Sequence, residues 1–443
     1  MTLNRELARL SALEDSAQEQ RDLLRTLESI YWAVSLFIGI IVVTLAPVIA
    51  YRWVNPQHLS GDAVVSSLRI MGLVIALQFP FSFYQGGLTG LQRQVLVNGI
   101  LVISGTLRGV GAVLVLWLFS PTIQAFLAWQ LVISAASTGA FYYSLWQSLS
   151  PSKRQPRFRK ELLHGIWKFA ASVSGNAIIG VMLTQMDKVI LSKILSLENF
   201  GYYTLAATVA SVLWSVIVPI NTAFFPNFTQ LFELRDEVRL AEIYHRACQI
   251  VTVALVPIGF TLVFFSREVI YLWTRNQITA ERTYVIVALL VIGTMINGLS
   301  SMAIYLQYAS GWPQLIMYSN LFSAVLLVPA IAIMANYYGA IGAASVWIAI
   351  NSVYVIFTIP IMHRRLLTNE KWKWYFVDVG LPLSGALAFG AVGRWLMPAD
   401  LSWLILFAYI GCFFMATLSI CICLSTYCRN YIYNFYKVKY GYN

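Results

Sequence analysis

A few charged side chains inside long apolar runs are the residues of this chain most able to do chemistry. Arg108 stands near the middle of the run ILVISGTLRGVGAVLVLW, and Arg69 lies about two helical turns inside the preceding run. Lys168 lies about one turn inside a third run, and Asp187 lies near the far end of that run. Because a charge in hydrocarbon costs about 2.5–3.5 kcal/mol on insertion scales, such residues usually serve a function.

Each of these side chains also has a purely structural explanation. Arg108 either faces a wet cavity or pairs with a buried partner, and its depth favours the cavity. Arg69 either serves a function or extends its head to the membrane surface, and such extension is the simpler explanation for Lys168. Asp187 and Lys188 either form polar contacts with their neighbours, or Asp187 binds a proton or a cation. Arg108 is therefore the strongest functional candidate.

The elements that must position these residues are membrane-spanning helices. The chain has 443 residues, of which 59% are hydrophobic and only 11% are charged. Apolar runs of about 20 residues, each long enough for a helix to cross a bilayer, recur along nearly the whole chain. They predict an all-α, multi-pass membrane protein with about twelve spans. The predicted spans lie near 31–51, 65–85, 97–118, 122–147, 165–187, 202–225, 247–265, 284–306, 314–335, 340–361, 376–395 and 402–424.

The order of these spans predicts two helical lobes joined by a basic connection. The lobes are expected at 31–147, with four helices, and at 165–362, with six. A cytoplasmic amphipathic segment (1–30), the basic linker (148–164) and two C-terminal helices with a basic tail (363–443) complete the chain. Lys and Arg concentrate in alternate connections, a bias that predicts both termini in the cytoplasm.

The remaining polar residues argue against an enzyme or a metal centre. The formal net charge of +11 comes mainly from short loops, which favours contact with anionic lipid headgroups over nucleic acid. No P-loop, HExxH or GxSxG motif occurs, and neither the Cys nor the His residues show the spacing of metal ligands. Asp378, at the start of a predicted span, is expected to be solvated at the membrane surface. We therefore expect recognition and movement, without a cofactor.

Several stretches of the chain resemble the bacterial polysaccharide flippases of the multidrug/oligosaccharidyl-lipid/polysaccharide exporter superfamily. QMDKVILSKILSLENFGYYTLAATVA is similar to that family's seventh-helix region, where an Asp ends a span and Gly-Tyr-Tyr opens the next. The stretches 68–99, 266–277 and 336–354 are similar to other parts of the family, so the resemblance covers essentially the whole chain. It implies two bundles of helices around a central cavity, with two extra C-terminal helices.

This resemblance also implies a function and roles for the charged residues. The expected substrate is a polyprenyl-pyrophosphate-linked oligosaccharide, such as an O-antigen or exopolysaccharide repeat unit, moved across the bacterial cytoplasmic (inner) membrane by alternating access. Its pyrophosphate would meet Arg108, Arg69 and Lys168, because a guanidinium binds phosphate oxygens as a fork. Asp187 would be the coupling-ion candidate. Membrane lipids, a polysaccharide polymerase and chain-length machinery are the expected partners.

One departure from the family pattern leaves alternatives open. Only four predicted spans precede the span that ends at Asp187, whereas six precede it in the family, so the first two helices would be missing. A truncated, inactive relative is therefore one alternative. A drug or cation antiporter of the same superfamily is another, although it would need an acid deep in a helix, and Asp187 lies near the outer end of its span.

Overall fold

The computed structural model describes residues 3, 6, 7, 10, 16–54, 59–152, 154–162, 184–398 and 401–430. The chain divides into two compact units, Met1–Met182 and Leu183–Asn443. Helices make up most of the described part of each unit, as the long apolar runs predict.

Four long helices lie among the described residues of the first unit. In chain order they are α1 (Ala17–Trp53), α2 (Gly61–Gly90), α3 (Gln94–Leu118) and α4 (Ile123–Ser148). Local capping fixes where two of them begin: the Ser60 hydroxyl accepts a hydrogen bond from the Ala63 amide, and the Thr122 hydroxyl accepts one from the Ala125 amide. Helix α2 packs against both α1 and α4, while α3 packs mainly against α4.

The amphipathic start of the chain completes the packing at one end of this unit. Leu3, Leu7 and Leu10 recur every three or four residues, which places them on one face of a helix. They are buried in one core with the first turns of α1 and with Tyr84 of α2. The basic linker is tied to α1 nearby, since the Arg157 amide donates to Asp22 Oδ1 at 2.9 Å.

A short helix (426–430) ends the described part of the second unit, and eight helices precede it. In chain order they are α5 (184–194), α6 (Leu197–Glu233), α7 (Glu237–Phe264), α8 (Ser266–Thr274), α9 (Gln277–Ala309), α10 (Gln314–Leu366), α11 (Lys371–Trp395) and α12 (Trp403–Leu424). Helix α10 runs for 53 residues but is kinked at Gly339, whose φ of 59° suits a residue without a Cβ.

The predicted membrane-spanning pattern is confirmed. Ten helices of the described chain are long and apolar enough to cross a bilayer. Each predicted span coincides with one of them except 165–187, most of which falls outside the described residues. Helix α10 carries two predicted spans, 314–335 and 340–361, and its kink at Gly339 lies between them.

The C-terminal helices α11 and α12 pack against α7 through buried polar groups. Here one expectation is wrong, because Asp378 is fully buried rather than solvated. Its carboxylate contacts Nδ1 of the buried His245 and accepts a hydrogen bond from Gln249 Nε2 at 2.8 Å. His245 Nε2 lies 2.8 Å from Glu370 Oε2. Helix α11 begins at Lys371, so Asp378 lies about two turns inside it. At this position its side chain packs against α7 and is not exposed to solvent.

The same turn of α7 also holds the chain beyond α12. The side-chain oxygen of Gln249 accepts hydrogen bonds from the Ser425 hydroxyl at 2.8 Å and from the Tyr427 amide at 2.8 Å. At the far end of α11, Arg394 pairs with Glu268 of α8 at 2.7 Å. Both ends of α11 are thus fixed to the α7–α8 region. We call the group His245, Gln249, Glu370 and Asp378 the buried clamp.

Candidate functional site

Arg108 lies in α3 with little to neutralise its charge. Its Nη2 is 3.5 Å from the Ser134 hydroxyl of α4, and its Nε is shielded from solvent without a hydrogen-bond partner in the described structure. No carboxylate of the described chain forms an ion pair with it. Of the two explanations for Arg108, pairing with a buried acid is therefore not seen among these residues. The guanidinium is left with donors available to an anion.

The contacts between α2 and α4 show how deep Arg69 lies. Gln124 donates to the Ala63 carbonyl, and the Thr138 hydroxyl donates to the Leu77 carbonyl, so paired residues of the two helices differ by 61 in number. By the same offset, Arg69 of α2 is level with Gln130 of α4. Gln130 Nε2 in turn reaches the Arg108 carbonyl at 3.5 Å.

The two arginines therefore lie at similar depths along the first unit. Arg108 directs its head toward Ser134, one helical turn beyond Gln130, and Arg69 is exposed. A common depth is what joint binding of one anionic group requires. Lys168, the third predicted cation, lies outside the described residues.

A second candidate site is a cavity of about 250 Å³ in the second unit, beside Asp187. Asp187 stands on α5, and Tyr203 lies in the second turn of α6. The two helices are joined by a tight turn, in which the Ser196 hydroxyl caps α6. This turn brings the Tyr203 hydroxyl within 2.6 Å of Asp187 Oδ2, to which it donates a hydrogen bond.

The other oxygen of Asp187 is different. Oδ1 is shielded from solvent and accepts no hydrogen bond from the described residues. Lys188 does not neutralise the acid, because its Nζ donates to Gln185 Oε1 at 2.8 Å. Polar contacts with neighbours and a vacant acceptor thus occur together at this acid, so both explanations given for Asp187 stay open.

Two tryptophans on this cavity were not singled out from the sequence. Trp347 of α10 donates from Nε1 to the Thr294 hydroxyl of α9 at 3.3 Å. Its ring also lies against Gly293, where a Cβ would approach the ring to within 2.3 Å. Trp214 of α6 lines the same cavity and is 38% exposed. Nothing local marks either residue, because the partners of Trp347 come from a helix about 50 residues earlier.

Comparison with known proteins decides the family. A family model described as polysaccharide biosynthesis protein matches residues 12–280. The chain belongs to this family. The succinoglycan biosynthesis transport protein ExoT of Rhizobium meliloti is 26% identical over 275 residues, which is 58% of this chain and 51% of that protein. The chain spans only about half the length of its curated relatives.

Solved structures show the same fold over most of the chain. The lipid II flippase MurJ, in an inward closed conformation, gives a TM-score of 0.66 at 14% identity and covers 94% of this chain and 89% of its own. An inward-facing multidrug resistance MATE family transporter of the MOP superfamily gives 0.69 at 13% identity, with coverage of 82% and 85%. These two likenesses show the fold, and the predicted all-α, multi-pass architecture agrees with it. ExoT is named as a transport protein, and the two solved structures are named as a flippase and a transporter.

Proposed function

We propose that this protein moves a polyprenyl-pyrophosphate-linked oligosaccharide across the bacterial cytoplasmic membrane during polysaccharide biosynthesis. Family membership, a relative named for transport and a fold shared with a lipid II flippase support this proposal. The observation that carries it is the guanidinium of Arg108, whose nearest polar partner in the described structure is a hydroxyl 3.5 Å away.

The chemistry of the substrate fits the two arginines. A diphosphate is a compact, multiply charged anion, and a guanidinium donates to two of its oxygens at once. Arg108 binds the diphosphate first in this scheme, and Arg69, at similar depth, adds a second charge. Lys168 is the third proposed binding group. The prenyl chain stays in lipid while the bound headgroup is exposed to one side of the membrane and then to the other.

Asp187 is the proposed site for the coupling ion. A buried acceptor that makes no hydrogen bond costs about 1–3 kcal/mol, and more when it is charged. A proton or a cation at Oδ1 would remove that cost, because Oδ2 is already satisfied by Tyr203. Ion binding at Asp187 in the second unit would then be linked to binding of the substrate in the first unit.

The orientation and the partners belong to the same proposal. Both termini face the cytoplasm in this scheme, in agreement with the bias of basic residues among the connections. Membrane lipids surround the spans, and a polysaccharide polymerase with its chain-length machinery receives the product. An antiporter for cationic drugs is the poorer fit, since the unpaired Arg108 would repel such a substrate.

Complementation tests the proposal. The source bacterium, deleted for this gene, is supplied with the parent chain or with Arg108→Ala, Arg108→Lys or Arg239→Ala. Arg239 is the matched control because it is exposed at the surface of the second unit and pairs only with Asp236 in the described structure.

We expect the parent and Arg239→Ala to restore surface polysaccharide. Arg108→Ala should lose it and accumulate the lipid-linked oligosaccharide, with Arg108→Lys retaining part, because the ammonium keeps the charge but not the fork. Full export by a stably inserted Arg108→Ala protein would overturn the proposal.

A further inference from the structure

The cavity beside Asp187 is lined by more kinds of side chain than the binding of an ion requires. Small cations are bound by several converging oxygen atoms, whereas this cavity is lined by aromatic rings, an amide and an amine as well as by the carboxylate. We propose that it is a glycan-reading site that takes one neutral pyranose ring of the substrate. This inference rests on the proposed function and gives it a determinant of substrate choice.

The aromatic side chains supply the apolar half of such a site. The face of a pyranose presents several C–H groups, which carry slight positive charge and match the negative face of an indole. Trp347 is held in place by Thr294 and by the close approach of Gly293, so its ring loses little freedom when a sugar stacks on it. Trp214 adds a second ring at a more exposed position of the cavity.

Polar side chains supply the other half. Sugar hydroxyls both donate and accept, and the cavity offers both kinds of partner. Asp187 Oδ1 is an unused acceptor, while Gln185 and Lys188 contact each other and can exchange that hydrogen bond for bonds to a ligand. A free diphosphate is disfavoured here because Asp187 would repel it.

The cavity is small. Its volume of about 250 Å³ lies below the range of about 300–1,000 Å³ that is usual for pockets holding drug-sized ligands. A single pyranose suits this size better than an extended oligosaccharide does. The site would therefore read one sugar of the repeat unit. Sugar and coupling ion then share one acceptor, Asp187 Oδ1, which links the choice of substrate to ion binding.

Saturation-transfer NMR on the purified full chain in nanodiscs tests this inference. The probes are methyl α-D-glucopyranoside, methyl α-D-galactopyranoside and the N-acetylglucosamine analogue, with methyl phosphate as the control for anion binding. The variants are Trp347→Leu, Trp214→Leu and the matched control Trp117→Leu, whose side chain on α3 is 79% exposed. Trp214→Leu is included because an exposed ring can be removed without disturbing the core.

We expect saturable binding of at least one pyranoside to the parent protein, unchanged in Trp117→Leu and about tenfold weaker in either cavity variant. Loss in Trp214→Leu alone still supports the site if Trp347→Leu fails to fold. Equal binding by all variants, or no saturable binding by the parent, would overturn the inference.

Arg108→Ala separates this inference from the proposed function. If it abolishes export but keeps pyranoside binding, both proposals stand. If it abolishes export while the parent binds no pyranoside, only the glycan-reading site fails. If it exports normally, the proposed function fails whatever the NMR shows.

Discussion

The second unit contains two carboxylates in opposite circumstances. Asp378 is fully buried, and each of its oxygens has a partner, in His245 or in Gln249. Asp187 lines a cavity and uses one oxygen on Tyr203, while its other oxygen accepts nothing from the described residues. Asp378 is thus fully partnered where α7 and α11 are held together, whereas Asp187 is only half partnered where a ligand is proposed to bind.

Two nitrogen-bearing side chains repeat the contrast. Each ring nitrogen of His245 contacts a carboxylate, Asp378 at Nδ1 and Glu370 at Nε2. Arg108 has only a hydroxyl within reach among the described residues. This difference assigns a structural role to the buried clamp and a binding role to Arg108 and Asp187. The assignment would be wrong if the protein were equally stable without the clamp, or if Arg108 and Asp187 were needed for folding.

Asp378→Asn should have the largest effect on stability. Asparagine replaces one of the two carboxylate oxygens by an NH2 group, so either His245 or Gln249 loses its acceptor. A buried polar group without its partner costs about 1–3 kcal/mol, and more where it is charged. We expect a marked fall in the thermal unfolding temperature in detergent. Asp236→Asn is the control and should change little, because this partly exposed side chain caps α7 and asparagine caps equally well. An unchanged melting temperature in Asp378→Asn would mean that the clamp does not hold α11.

A double variant sharpens this prediction. His245→Leu with Asp378→Leu removes both partners of the buried contact together, while the Glu370 carboxylate keeps Lys373 at 3.6 Å. Replacement of a buried pair by apolar residues is often nearly neutral. The double variant should therefore be more stable than Asp378→Asn.

Gly293→Ala should have an intermediate effect. The new methyl would lie 2.3 Å from the Trp347 ring and force it to move, and such overpacking costs about 1–3 kcal/mol. Gly105→Ala on α3 is the matched control, because nothing lies within 4 Å of its Cβ position in the described structure. The same melting assay compares the two. Equal stability would show that Trp347 is not fixed by α9.

Much of this architecture follows from the sequence, because bilayer thickness fixes the length of an apolar span. The break between 314–335 and 340–361 was predicted from run length, and Gly339 lies in it. Burial of Asp378 was not predictable in this way, since its partner His245 lies 133 residues earlier. The same holds for Trp347, whose position depends on Gly293 and Thr294.

Arg394→Ala should lower stability less than Asp378→Asn or Gly293→Ala does. Its pair with Glu268 joins the C-terminal end of α11 to the first turn of α8, but Arg394 is 42% exposed. Partly exposed pairs contribute about 0–1 kcal/mol. We expect a small shift in melting temperature that shrinks further in high salt. A loss as large as that of Asp378→Asn would show that the two ends of α11 matter equally.

Asp187→Asn should change stability least while abolishing transport. Asparagine keeps an acceptor for the Tyr203 hydroxyl and removes only the charge that we assign to ion coupling. The melting temperature and the amount of surface polysaccharide are measured on the same cells and membranes. Tyr203→Phe, which deletes the donor instead, should lose about 1 kcal/mol of stability. If the Asp187→Asn protein is inactive because it is unfolded, Asp187 has a structural role, as the buried clamp does, and is not the coupling site.

Reconstituted transport is the most direct test of the central claim. The purified full chain is placed in vesicles with a fluorescent polyprenyl-diphosphate sugar, and the fraction of headgroup reached by an external quencher is followed over time. We predict movement of the headgroup by the parent protein and none above empty vesicles by Arg108→Ala. Equal rates for the two proteins would contradict the assignment of Arg108 as the group that binds the diphosphate.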